Sequence, residues 1–163
     1  MAAVALDIIQ DSGSMAESSQ TEKYVSFILG RETYAVSAST VNEVLRYTEI
    51  TPVPGAPQNI LGIINLRGNV VTVLSARTMF GLPATELTEQ SRIVIVDIAD
   101  YSIGILVDRV VEVVDLDTRS MESSPNTGNE SAGLFIDGVY NHEQSLYILV
   151  NFARLDETGT HRL

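Results

Sequence analysis

A strand–turn–strand pattern occurs twice in this chain and constrains its fold more than any other feature. Tyr24 to Leu29, the turn Gly30-Arg31-Glu32 and Tyr34 to Ala38 make the first copy. Arg92 to Ile98, a turn at Ala99-Asp100 and Tyr101 to Val107 make the second. A similar tetrapeptide follows each: Val41-Asn42-Glu43-Val44 after the first, Val110-Val111-Glu112-Val113 after the second. The runs are short and rich in β-branched and aromatic residues, with Gly or Pro between them, as in the strands of a small barrel. The length of 163 residues suits one domain, or two small ones sharing a core. Neither half alone buries a large core, so the interface between halves contributes to stability.

Further strands are expected at Val44 to Ile50, Ile63 to Leu66, Val70 to Leu74, Leu134 to Tyr140 and Ser145 to Val150. Ser75 is suited to N-cap a short helix through Phe80, which Gly81 and Pro83 end. Thr40 is placed to start a helical turn bearing Val41, Glu43 and Val44, and Asn151 or Phe152 to open a terminal one. Residues 1–22 read as a flexible acidic tail, carrying Asp7, Asp11, Glu17 and Glu22 without a basic residue. The apolar patch Val4 to Ile9 is too short to build core, though long enough to pair or dock weakly. The loop Glu122 to Gly133 is rich in Ser, Asn and Gly and reads as mobile.

Composition narrows function. A net charge of −11, with Lys23 and nine scattered Arg, argues against nucleic acid or anionic lipid as partner. No apolar run is long enough to span a bilayer, and the N-terminus lacks the basic region of a secretory signal. Zero cysteines exclude disulfides and thiolate metal sites and fit a reducing cytoplasm. His142 and His161 have no ligand spacing, and neither a nucleophile motif nor a phosphate-binding Gly loop occurs. The reading is therefore non-enzymatic: no catalytic residue, cofactor or metal. Seven carboxylates between Asp97 and Glu122, against Arg109 and Arg119, form a solubilising face or an electrostatic docking surface.

One charged side chain stands out. Between Ile50 and Leu74 the only charge is Arg67, in the turn Asn65-Leu66-Arg67-Gly68-Asn69 between two apolar strands. Gly68 supplies the positive φ that a tight turn can demand. The Arg needs solvent, a carboxylate or a partner.

The same turn reads N-L-R-G-x-V and is followed by V-x-x-x-R-x-x-F-G-L from Val73 to Leu82. Together with Tyr24-Val25-Ser26-Phe27, Tyr34-Ala35-Val36, Val41 to Leu45, Thr51 to Pro57 and Ile60 to Gly68, the order and spacing resemble the CheW family of bacterial chemotaxis adaptors. The likeness runs over roughly residues 22 to 157. It implies a mainly β fold: two SH3-like β-barrel subdomains packed around a shared hydrophobic core, with short helical turns. The implied domain is 23–157, with a first barrel of about 23–82 plus a C-terminal return at 151–157. The second barrel would be about 91–150, and 158–163 a short tail.

The resemblance also implies a role. Such a protein is a non-catalytic adaptor coupling the cytoplasmic hairpin of a methyl-accepting chemoreceptor to the regulatory domain of the histidine kinase CheA. It would be cytoplasmic, recruited to receptor arrays at the inner face of the membrane without inserting into it. The alternative is a CheW-like scaffold in another two-component array, such as pilus-based motility. Arg67 matches the family's turn Arg and Glu43 the Glu of its V-x-E-V segment, which suggests that the two meet near the receptor-binding surface. Gly62 and Gly68 would flank that surface or only permit backbone turns; Val41 would offer apolar contact or belong to the core. Thr72, Ser75 and Ala76 stand where the family commonly has Pro, Asp and Leu, which bears on the kinase contact rather than on the fold.

Overall fold

The computed structural model describes residues 3–4, 21–122 and 134–155. Most of the expected tails, and the loop up to Gly133, therefore lie outside the described residues. Within the segment expected to be a tail, Ala3–Val4 forms a short strand, β1, and Thr21 and Glu22 already belong to the next. The remaining strands are β2 (Thr21–Leu29), β3 (Glu32–Ser37), β4 (Val41–Arg46), β5 (Ile60–Leu66), β6 (Asn69–Ser75), β7 (Arg92–Ile98), β8 (Tyr101–Val107), β9 (Arg109–Asp117), β10 (Ile136–His142) and β11 (Ser145–Val150). A one-turn helix, α1 (Ala76–Met79), follows β6, and its N-cap Ser75 accepts a hydrogen bond from the Thr78 amide at 3.2 Å. A 3-10 turn at Phe152–Arg154 is capped in the same way by Asn151, which accepts from the Ala153 amide at 3.0 Å.

The strands form two sheets, ordered β1-β4-β7-β8-β6-β5 and β10-β11-β3-β2-β9. Setting β1 aside, the sheets repeat one plan. A hairpin (β5–β6 or β10–β11) adds in parallel to a second hairpin (β8–β7 or β3–β2), whose far edge takes one more antiparallel strand (β4 or β9). A two-way bridge closes each sheet: Thr51 exchanges hydrogen bonds with Ile63 at 2.9 Å, and Glu122 with Val139 at 2.8 and 2.9 Å. Both closures sit beside a glycine on a bulge, Gly62 in β5 and Gly138 in β10. A Cβ on Gly62 would collide with the Thr51 carbonyl, and one on Gly138 with that of Glu122. Mainly β, two small barrels: the expected fold class is what forms.

The sheets draw on the chain differently from the expected first barrel of about 23–82 plus the return at 151–157 and second barrel of about 91–150. One barrel takes β2, β3 and β9 to β11; the other takes β4 to β8. Each V-x-E-V strand leaves its own hairpin and crosses to the other copy, β4 onto β7 and β9 onto β2. It has no place at home, because the outer edges of β3 and β8 are occupied by β11 and β6. The helical turn expected at Thr40 is also shorter than foreseen. Only Ala38–Thr40 are 3-10, and Val41, Glu43 and Val44 extend as β4 because burial of β-branched Val against β7 outweighs a local helical start.

Alternation along the strands explains the packing. On β7, Ile93 and Ile95 face the interior of their own barrel with Leu45, Ile64, Leu66, Val71 and Val73. Val94, Val96 and Ile98 face the other way, into a core shared with Val25, Phe27 and Leu29 of β2. Buried on both faces, β7 reads as an unbroken apolar run. At the centre of the shared core Phe27 stacks on Tyr34 at 5.6 Å, Tyr34 meets Phe80 at 5.1 Å, and Phe80 meets Phe135 edge-on at 6.4 Å. Phe152 and Leu155, beyond the last strand, return into this core, with Phe152 6.5 Å from Phe27.

Candidate functional site

In the β5–β6 hairpin Leu66 pairs with Asn69, leaving Arg67 and Gly68 as the loop. Their φ angles are 52° and 87°. Two successive left-handed residues make the type I′ geometry that matches the twist of paired strands. Gly68 adopts this without penalty, but a residue with a Cβ loses about 1–2 kcal/mol there. Arg67 therefore sits where Asn or Gly would fold better. The Asn65 side-chain carbonyl accepts a hydrogen bond from the Gly68 amide at 2.9 Å and braces the loop.

Arg67 lies over Glu43. Its Nη1 donates to Glu43 Oε1 at 3.3 Å and its Nη2 to Oε2, a fork on a carboxylate. The hydrogen bonds to Glu43 hold the guanidinium above its ordinary pKa. The partners differ in setting: the Arg67 side chain is 66% exposed, that of Glu43 8%. Glu43 is buried because β4 carries a bulge at Asn42, where Val41 pairs with Val96 and Glu43 with the adjacent Ile95. The extra residue turns Asn42 outward and Glu43 inward under the hairpin tip. The V-x-E-V segment of β9 carries the matching bulge, skipping Val111 between Val110 and Glu112.

Beside the tip lies a cleft of about 360 Å³, lined by Arg67, Asn69, Asn42, Tyr101 and Ser102 among others. Asp97 organises its wall, accepting from Asn42 Nδ2 at 3.1 Å and from Ser102 Oγ at 2.7 Å. Val70, next to the turn, is the most exposed large apolar residue described, at 66%.

Of the residues singled out in the sequence, Arg67, Glu43 and Gly68 come together here. Gly62 does not. It lies at the far end of β5, buried against the Thr51 bridge, where its lack of a side chain closes the barrel. Of the two roles open to Val41, the structure gives the core: it is 7% exposed and belongs to the shared cluster. Asn65, Asn42, Asp97 and Ser102 were not anticipated. An Asn just ahead of a tight turn is a side-chain-to-backbone signal that could have marked Asn65; nothing local marks the others, which meet only through strand pairing.

Two barrels locked on one core, with a stiff charged turn over a buried carboxylate and an open apolar residue beside it, define a binding scaffold. A model of the CheW-like domain matches residues 23–158, and the chain belongs to that family. It is 30% identical over 136 residues to the chemotaxis protein CheW of Bacillus subtilis, covering 83% of this chain and 87% of the relative. The likeness to CheW of Helicobacter pylori is 31% over 112 residues, or 69% and 68% of the two chains. Protein PilI of Pseudomonas aeruginosa is 27% identical over 145 residues, covering 88% and 80%. Among solved structures, the scaffolding protein TtCheW of Thermoanaerobacter tengcongensis superposes with a TM-score of 0.79 at 32% identity, covering 87% of this chain and 97% of that one. The chain is a chemotaxis scaffold of a non-catalytic family. Among the described residues, no helix is long and apolar enough to cross a membrane.

Proposed function

We propose that this protein couples the cytoplasmic hairpin of a methyl-accepting chemoreceptor to the regulatory domain of the histidine kinase CheA, within arrays at the inner face of the cytoplasmic membrane. The observation that carries this reading is the Arg67 fork: an exposed guanidinium, fixed by a buried carboxylate, on a tight turn beside the exposed Val70. An adaptor requires two surfaces in fixed relation, and two barrels on one core supply them. Held rigidly between receptor and kinase, such a body lets a receptor conformational change bias the kinase equilibrium without chemistry of its own. The Arg67–Glu43 tip is the surface we assign to this coupling. Thr72, Ser75 and Ala76 then bear on affinity for the kinase.

The test is reconstitution. Purified protein mixed with a receptor hairpin fragment and CheA should co-sediment as a ternary complex, and receptor control of autophosphorylation should depend on its presence. Binding to neither partner would overturn the proposal. The likeness to PilI favours a second reading, a scaffold in another two-component array; binding to a different receptor–kinase pair from the same cell would select it.

A further inference from the structure

We infer that Asn65 is a positioning residue for the coupling surface, acting through the backbone of the hairpin tip to hold Arg67 over Glu43. This rests on the role proposed for Arg67. The tip of β5–β6 consists of Arg67 and Gly68, both left-handed, and the side-chain Oδ1 of Asn65 accepts a hydrogen bond from the Gly68 amide at 2.9 Å. That bond fixes the backbone on the C-terminal side of Arg67. The pair with Glu43 fixes the guanidinium at the other end of the side chain. Arg67 is thus held at both ends, though two thirds of it faces solvent.

The molecule contains its own control. The equivalent hairpin, β10–β11, places Asn141 where β5–β6 has Asn65, since His142 pairs with Ser145 as Leu66 pairs with Asn69. Its loop residues Glu143 and Gln144 are also left-handed, with φ of 49° and 70°. Neither is a glycine. Yet among the described residues Asn141 makes no side-chain bond to its loop. A type I′ tip therefore forms in this fold without an Asn brace and without Gly. The brace at Asn65 is additional to what folding needs, and it stands at the tip that presents Arg67.

The experiment titrates a purified receptor hairpin fragment against Asn65→Ala, Asn65→Asp, Arg67→Ala, Asn65→Ala/Arg67→Ala and Asn141→Ala, with thermal midpoints and exchange of the Gly68 amide measured alongside. Asn65→Ala should weaken binding about tenfold, the worth of one lost hydrogen bond at the tip. It should speed exchange at Gly68 and leave the midpoint within a degree or two. Asn65→Asp keeps the acceptor and should restore binding. The double variant should bind no worse than Arg67→Ala, because Asn65 acts only through Arg67. Asn141→Ala should change neither binding nor midpoint. Normal binding by Asn65→Ala beside a weakened Arg67→Ala overturns this inference alone, as does a midpoint falling by many degrees, which would make Asn65 structural. Normal binding by Arg67→Ala overturns the site reading and this inference with it.

Discussion

Gly62 and Gly68 lie on the same hairpin and are glycines for different reasons. At Gly62 a side chain would run into the Thr51 carbonyl of the closing bridge; at Gly68 the space is open and only the φ of 87° resists. Gly62→Ala should cost more than about 2 kcal/mol and open the barrel, as overpacking against backbone does. Gly68→Ala should cost only about 1 kcal/mol, the left-handed penalty. Chemical denaturation of the two variants measures the difference, and equal losses would show that the Thr51 contact does not govern Gly62. Arg67 and Glu43 divide in a similar way. Arg67→Ala strands a carboxylate whose side chain is 8% exposed, so that variant mixes a stability loss with any loss of binding. Replacing both, as Arg67→Ala/Glu43→Met, leaves no orphan charge and should return the midpoint close to that of the parent.

At the level of elements, Asp108 fastens the crossing from β8 into β9. It accepts from Arg77 Nε at 2.8 Å and Nη2 at 2.6 Å, and from the Gly30 amide in the β2–β3 turn at 2.9 Å. The one carboxylate thus ties α1 and the β8–β9 crossing to a turn of the opposite barrel, while Arg77 also donates to the Pro83 carbonyl of the α1–β7 connection at 2.9 Å. The Arg77 hydrogen bonds hold the Asp108 carboxyl below its ordinary range, with burial opposing them. A lowered folded pKa means that the stabilisation is complete above the unfolded value of about 3.9 and is lost as pH falls through the lower folded value. Asp108→Asn should remove roughly 1–3 kcal/mol at neutral pH and flatten the acid limb of the midpoint–pH curve. An unchanged acid limb would show that the clasp contributes nothing to acid stability. None of this was legible in the sequence, where Asp108 is one of seven carboxylates on an acidic stretch. The hairpins were legible, because β2–β3 and β7–β8 are local pairings announced by alternation and turn residues. The repeated V-x-E-V was visible as well, but not its exchange between copies, since the edge a strand joins depends on which edges are already taken. Glu43 and Arg67 could be matched by family pattern, whereas the left-handed φ of Arg67 could not, because Gly68 beside it was the natural carrier.

For the whole molecule, the shared core ties the barrels into one unit. Residues 41–107 contain the complete β4–β8 barrel as a continuous segment. Cut out, that segment would expose Val94, Val96, Ile98, Ile103, Ile105 and Val107, all buried in the shared core. Each such side chain is worth about 1.5–3 kcal/mol when buried, together comparable to the whole stability of a typical domain. The isolated segment should therefore lack a cooperative thermal transition, and the intact protein should unfold in one. Two separable calorimetric peaks in the intact protein would contradict the shared core. In the role proposed above, the same rigidity would let a body without chemistry pass a receptor state to a kinase. The most direct test of that role compares affinity with midpoint in Arg67→Ala/Glu43→Met. Titration with a receptor hairpin fragment and CheA should show at least about a tenfold loss of ternary-complex affinity, with a thermal midpoint within a few degrees of the parent. Parent-like affinity at a parent-like midpoint would place coupling elsewhere on the molecule and contradict the account.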